Sequence, residues 1–179
     1  IYFAHIPKCA GSTIERYLQE RFGPLGFRNP QYLLEPIETR WTKSSPQHVS
    51  KIALEALLPH SFFAASFAVV RHPITRIRSV FLFQRDIERT LPRELDFEDW
   101  VKTLPERMMD NPFYLDNHIR PMSDLIPEAT TVFRLEDGLD TVVDWLDELA
   151  GSSDETRKIS HSNDYKRNLQ ARGLEAGPK

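Results

Sequence analysis

The chain of 179 residues carries one cysteine, Cys9, which excludes an intrachain disulfide framework. Its histidines, His5, His48, His60, His72, His118 and His161, show neither H-x-x-x-H spacing nor a cysteine partner, so no structural zinc site is expected. No apolar run approaches the roughly twenty residues of a membrane-spanning helix, and no signal peptide opens the sequence. Positive charge is in short supply as well. A net charge of −3 argues against a protein whose main partner is nucleic acid. Three catalytic signatures are missing too. No G-x-x-x-x-G-K-[ST] loop occurs, no G-x-S-x-G elbow occurs, and Cys9 with Arg16 is one residue too long for a C-x5-R phosphatase loop.

What is present suits one globular domain over residues 1–179, with 40% hydrophobic and 27% charged residues. Ile1 to Ile6 reads as a buried strand ended by Pro7, and Ile14, Tyr17, Leu18 and Phe22 set a helix over 12–22 closed by Gly23-Pro24. Residues 23–47 hold six prolines or glycines among scattered aromatics and read as irregular. A second helix is expected from His48 to Leu58, then a strand from Phe62 to Arg71 and a helix after Pro73. Asp96 caps a short helix through Trp100 and Leu104. Thr130 to Leu135 is a third strand and Leu139 to Leu149 a helix ending at Gly151. Strands alternating with helices predict an α/β fold, a three-layer α/β/α domain with a central parallel sheet, whose ligands gather beyond the carboxyl ends of the strands.

Two motifs fall at such ends. In Pro7-Lys8-Cys9-Ala10-Gly11-Ser12-Thr13 small residues let the backbone approach a ligand, and the N–H groups of a helix first turn lack intrahelical acceptors. With the Lys8 ammonium they converge on one point, which suits a phosphate or sulfate. Farther on, Arg71 ends a strand and Ser79 stands eight positions later on the polar side of the next helix, a bidentate fork with a small donor suited to a terminal phosphate.

The order Ile-Pro-Lys-x-x-Gly-Ser-Thr resembles the 5′-phosphosulfate loop of sulfotransferases that use 3′-phosphoadenylyl sulfate (PAPS), in particular the group of the Golgi carbohydrate sulfotransferases. R-x-P-x-x-R-x-x-S resembles their 3′-phosphate element, in the same order along the chain. Members often carry Thr or Ala where this chain has Cys9, a position whose contribution is then its backbone.

The resemblance implies a P-loop-like sulfotransferase fold and transfer of a sulfuryl group from PAPS to an acceptor hydroxyl, on a carbohydrate, without a metal ion and leaving adenosine 3′,5′-bisphosphate. Lys8 would stabilise the leaving group. His48 is the candidate base, because Gln47-His48-Val49-Ser50 resembles the segment bearing the catalytic histidine in uronyl 2-O-sulfotransferases, although Pro46 replaces a second histidine found there. His5 reads as a packed core histidine and His72 as a residue that orients the turn beside Arg71. Arg40, Trp41, Arg85, His118 and Arg120 are candidate acceptor contacts. Residues 152–179 would form a loop and tail over the nucleotide, with Ser160 or Asn163 reaching the 3′-phosphate or adenine. The compartment follows the source: cytoplasm for a bacterial member, Golgi lumen for one whose anchor lies upstream of Ile1. The rival readings are a kinase-like transferase acting from ATP and a catalytically silent nucleotide-binding module.

Overall fold

The computed structural model describes residues 1–152, 157–159, 169–170 and 172–176, so the candidates Ser160 and Asn163 lie outside the described residues. Strand β1 (Tyr2–Ala4) leads through a loop into helix α1 (Gly11–Phe22), and strand β2 (Ser66–Val70) leads into helix α3 (Pro73–Leu82) after the short helix α2 (Lys51–Leu57). A π-helical turn over Phe83–Ile87 extends α3, helix α4 covers Phe97–Asp110, and strand β3 (Thr131–Arg134) is followed by helix α5 (Asp140–Ala150). The described strands form one parallel sheet in the order β1-β2-β3, with Phe3 beside Phe67 and Val69 beside Phe133.

Alternation along these strands divides the core. Phe3, Phe67, Val69 and Phe133 pack with Ile14, Tyr17 and Leu18 of α1 and Val142, Val143 and Leu146 of α5. Tyr2, Ala4, Ala68 and Val70 pack with Leu54 of α2 and with Met122, Leu125 and Ile126. A third cluster, built on Val80, Phe81 and the fully buried Trp100, ties α3 to α4. Thus a side-chain period of two in the strands and a helical period in the flanking segments assign each apolar residue its face. Both polar strand ends then open on the same side. Among the described residues no helix is long and apolar enough to cross a membrane.

Several boundaries differ from the sequence reading. β1 ends at Ala4 rather than at Pro7, because His5 already turns to bond Glu15 of α1. The apolar run from Phe62 to Arg71 is strand only from Ser66, where Tyr2 of β1 first supplies a ladder partner, and Phe62 belongs to a 3₁₀ turn. α2 does not start at His48. A 3₁₀ turn, Pro46–His48, comes first, and Ser50 caps the helix by accepting the Ala53 amide at 3.4 Å. α4 runs beyond Leu104 through Pro105, whose missing N–H frees only the carbonyl of Val101 on the exposed side of the helix. α5 ends as expected, with Gly151 at φ 61° and the amides of Gly151 and Ser152 bonded to the carbonyls of Glu148 and Asp147.

Candidate active site

Between β1 and α1 the chain makes a tight turn with two left-handed residues, Lys8 at φ 66° and Ala10 at φ 65°. The Cys9 amide turns back onto the Ile6 carbonyl at 3.3 Å and its side chain is buried, so Cys9 offers the cleft neither group. Burial pushes its thiol up to about 11, which makes it an inert thiol. α1 then begins without a side-chain cap, at Ala10. The amides of Thr13 and Ile14 both reach the Ala10 carbonyl, whereas those of Gly11 and Ser12, in the first turn, have no intrahelical acceptor within reach. Gly11 is required for a second reason. A Cβ there would lie 1.8 Å from Nε2 of His5, so the imidazole occupies the space that the missing side chain leaves.

Lys8 itself is enclosed without a counter-charge beside it among the described residues. Among the described residues no carboxylate is within ion-pair distance of its ammonium, which rests 3.7 Å from the centroid of the Phe83 ring. Burial, with Arg71 nearby, pushes its pKa down to about 8. The π-helical turn after α3 brings Phe83 there, and the same ring stacks on His118 at 5.8 Å with the planes 5° apart. At the end of β2, Arg71 donates to Thr75 Oγ1 (3.2 Å) and to the Lys8 carbonyl (3.4 Å), which joins the two motifs directly. Arg76 is buried and clamps the carbonyls of Pro7, His118 and Arg120.

Facing this loop is a row of three imidazoles. His5, His48 and His118 meet edge to face, with centroids 4.8 Å apart for the first pair and 5.0 Å for the second. His5 is not a core residue inside the strand. It lines the cleft, with Nδ1 2.8 Å from Oε1 of Glu15, whose other oxygen accepts from Arg28 at 3.3 Å. His48 is buried, with Nδ1 2.7 Å from Oδ2 of Asp116. Burial would raise the Asp116 carboxyl, but His48 and two bonds from Ser45 outweigh it and hold the group below the usual carboxylate range. Burial drives His118 down to about 3 and His5 also below the usual range, so both stay neutral near pH 7. Ligand-type atoms of His48, Asp116 and His118 lie within 4.8 Å of one another. The mutual bonds of His48, Asp116 and Ser45 account for this grouping as a hydrogen-bond network.

One cleft of about 1230 Å³ takes in Lys8, Ala10, Gly11, Ser12, Thr13, His48, Arg71, Ser79 and His118 together. Other candidates lie elsewhere. Arg40 is bonded to the carbonyls of Leu33 and Glu35, Arg85 is buried against Asp86 and Phe81, and Arg120 is held by Asn117 and Pro112. Trp41 packs edge-on against Phe27 and Tyr32. His72 caps α3 and gives its amide to Glu136 at 2.7 Å. Sequence reasoning overlooked Glu15, Asp116, Phe83, Arg16 and Arg78, which also line the cleft. For Asp116 a signal existed, since it stands two residues before His118; for Phe83 none did, because its position depends on a π-helical turn.

A parallel sheet whose strand ends carry a helix N-terminus beside a lysine, an arginine with a serine, and a buried histidine has the layout of a group transferase acting on an anionic donor. The chain belongs to the sulfotransferase family: the model of sulfotransferase family 2 matches residues 1–170. Its chemistry is therefore sulfuryl transfer. No curated protein and no solved structure matches the chain.

Proposed function

We propose that the protein transfers the sulfuryl group of PAPS to a hydroxyl of a carbohydrate acceptor by in-line displacement, on a three-layer, P-loop-like α/β scaffold. The observation that carries this reading is Lys8, a largely enclosed ammonium with no carboxylate of the described residues within ion-pair distance, at the mouth of an uncapped helix. Such a charge calls for an anionic ligand. The cleft has room for a nucleotide, and it also offers Arg71 and Ser79, a suitable pair for a 3′-phosphate.

The donor supplies the sulfuryl group and a phosphate leaving oxygen. Lys8, mostly protonated at pH 7, lies with the Gly11 and Ser12 amides where charge on that oxygen would develop, so these groups favour the transition state over the ground state. His48 accepts the acceptor proton as the new bond to sulfur forms. Arg71 and Ser79 fix the nucleotide so that attack is in line, which converts binding energy into orientation.

Thermal stabilisation by adenosine 3′,5′-bisphosphate compared with ADP tests the donor. The first should stabilise the protein clearly more, because only it carries the group that Arg71 and Ser79 are assigned. Equal shifts would refute that assignment and favour a transferase working from ATP. A screen of saccharides with labelled PAPS tests the acceptor. Tight nucleotide binding with no labelled product from any hydroxyl would leave a binding module instead.

A further inference from the structure

We propose that Asp116 is the positioning residue of His48 and that the turn through Leu115, Asp116 and Asn117 is built to deliver its carboxylate. The inference rests on the reading of His48 as the base. The turn is unusual in its backbone: three consecutive residues without glycine hold φ of 53°, 56° and 62°. Left-handed backbone is costly for residues that carry a Cβ, and such strain persists only where surrounding bonds fix it.

Most of the fixing bonds run to the segment that carries Ser45 and His48. Asn117 Nδ2 donates to the His48 carbonyl at 2.8 Å, and Asn117 Oδ1 accepts from Arg120 Nε at 2.9 Å. Asp116 Oδ1 accepts the Ser45 amide at 2.6 Å, and Oδ2 accepts the Ser45 hydroxyl at 2.6 Å as well as His48 Nδ1 at 2.7 Å. A carboxylate held by Ser45 on both oxygens cannot swing away from the imidazole. Nδ1 therefore carries the proton, and the lone pair is left on Nε2, on the opposite edge of a ring that lines the cleft.

The charged and titratable groups around His48 come from three elements. Asp116 approaches from the turn. His5, backed by Glu15, approaches from the end of β1, and His118 approaches from beyond the turn with Lys8 behind it. Because both neighbouring imidazoles are kept neutral by burial, Asp116 is the full charge that faces His48 directly. When His48 takes the acceptor proton, that carboxylate stabilises the imidazolium; when His48 is neutral, it selects the tautomer.

The test uses the full chain labelled with ¹⁵N. Long-range ¹H–¹⁵N spectra should show His48 protonated at Nδ1 in the native protein and a mixture of tautomers in Asp116→Asn. In transfer assays Asp116→Asn should lose about 100-fold in kcat with the donor KM within about twofold, and its acid limb should move to lower pH because the imidazolium loses its counter-charge. Asp116→Glu should recover part of the rate. Should Asp116→Asn not fold, Ser45→Ala decides: loss of one supporting bond should still mix the tautomers and lower kcat by roughly 3- to 10-fold. An unchanged tautomer, or a kcat within threefold of native, in the folded variant overturns the proposal. Full transfer by His48→Ala would instead remove His48 as base, an outcome separate from the tautomer result.

Discussion

Lys8 and His48 face one cleft, yet the protein treats the two groups in opposite ways. His48 is surrounded by partners: Asp116 at Nδ1, Ser45 beside it, and an imidazole against each edge. Lys8 is largely enclosed but, among the described residues, its ammonium has the face of Phe83 and no carboxylate within ion-pair distance. A buried polar group with satisfied bonds is part of the free protein's stability, whereas a buried charge without a counterion lowers it. The histidine side of the cleft is therefore complete in the free protein. The lysine side is completed by a ligand.

The two sides should respond to mutation with opposite signs, and this is the largest expected effect. Lys8→Met should reduce transfer by about 10³-fold or more, the scale on which a transition-state donor acts. The same variant should be more stable than native in the free form. The sign follows from linkage: between pH 10.5 and about 8 the unfolded chain binds a proton that the folded chain does not, so stability falls over that window and stays lowered below it. At pH 7 the deficit removed by Lys8→Met is on the order of 3 kcal/mol at most. His48→Ala should also lose transfer, by about 10²- to 10⁴-fold, but should destabilise the free protein by roughly 1–3 kcal/mol because Asp116 loses a buried partner. Urea unfolding of both variants beside the transfer assay checks the pair. A destabilised Lys8→Met would break the contrast.

Gly11→Ala should act on both sides together. The new methyl would sit on the His5 ring, and His5 lies against His48. Either α1 moves away from the Lys8 loop or the row of imidazoles shifts, and overpacking of this kind costs about 1–3 kcal/mol. Thermal unfolding measures the loss, and the NMR resonances of His48 should move although the substitution lies in the anion loop. Unchanged His48 resonances would show that the two sides are mechanically separate.

The same contrast explains what could be read from the sequence. The Lys8 loop was legible because its parts are adjacent: a strand, a lysine, small residues and a helix start follow one another within thirteen positions. The parallel sheet, α1, α3 and α5 were legible through hydrophobic period for the same reason, although strand lengths were not, since a ladder exists only where a neighbour supplies partners. The histidine side was only half legible. His48 and Asp116 are separated by 68 positions and meet through a left-handed turn that no periodicity announces. His5 looked like a core residue because its neighbours are apolar, while its partner Glu15 is on the next element. The arginines expected as acceptor contacts, Arg40, Arg85 and Arg120, bond nearby protein groups, a use that composition does not reveal.

Arg71→Ala should have a smaller effect confined to the lysine side. Arg71 bonds the Lys8 carbonyl and is assigned to the donor's 3′-phosphate, so its loss should raise the dissociation constant for adenosine 3′,5′-bisphosphate by about 10- to 100-fold. ADP binding should change far less. Calorimetry with both nucleotides checks this, and equal losses for the two would mean that Arg71 acts through the loop rather than through a phosphate.

The smallest effect isolates the histidine side by pH. His118 and His5 have folded-state pKa values lowered by burial, so below pH 6.5 the unfolded chain binds protons that the native chain refuses. Stability must then fall as pH drops from 6.5 toward 5, by up to about 1.4 kcal/mol per pH unit for each such group. The lowered carboxylates Asp116 and Glu15 act with the same sign in a more acid window, since their contribution is lost as pH falls below their ordinary pKa values. His118→Gln should therefore keep up to about 2 kcal/mol more of its pH 7 stability at pH 5 than the native protein does. Lys8, already protonated over this range, contributes little slope, so the difference in urea unfolding between the native protein and His118→Gln at the two pH values reads His118. An unchanged slope in His118→Gln would mean that His118 can be protonated without leaving its place between His48 and Phe83.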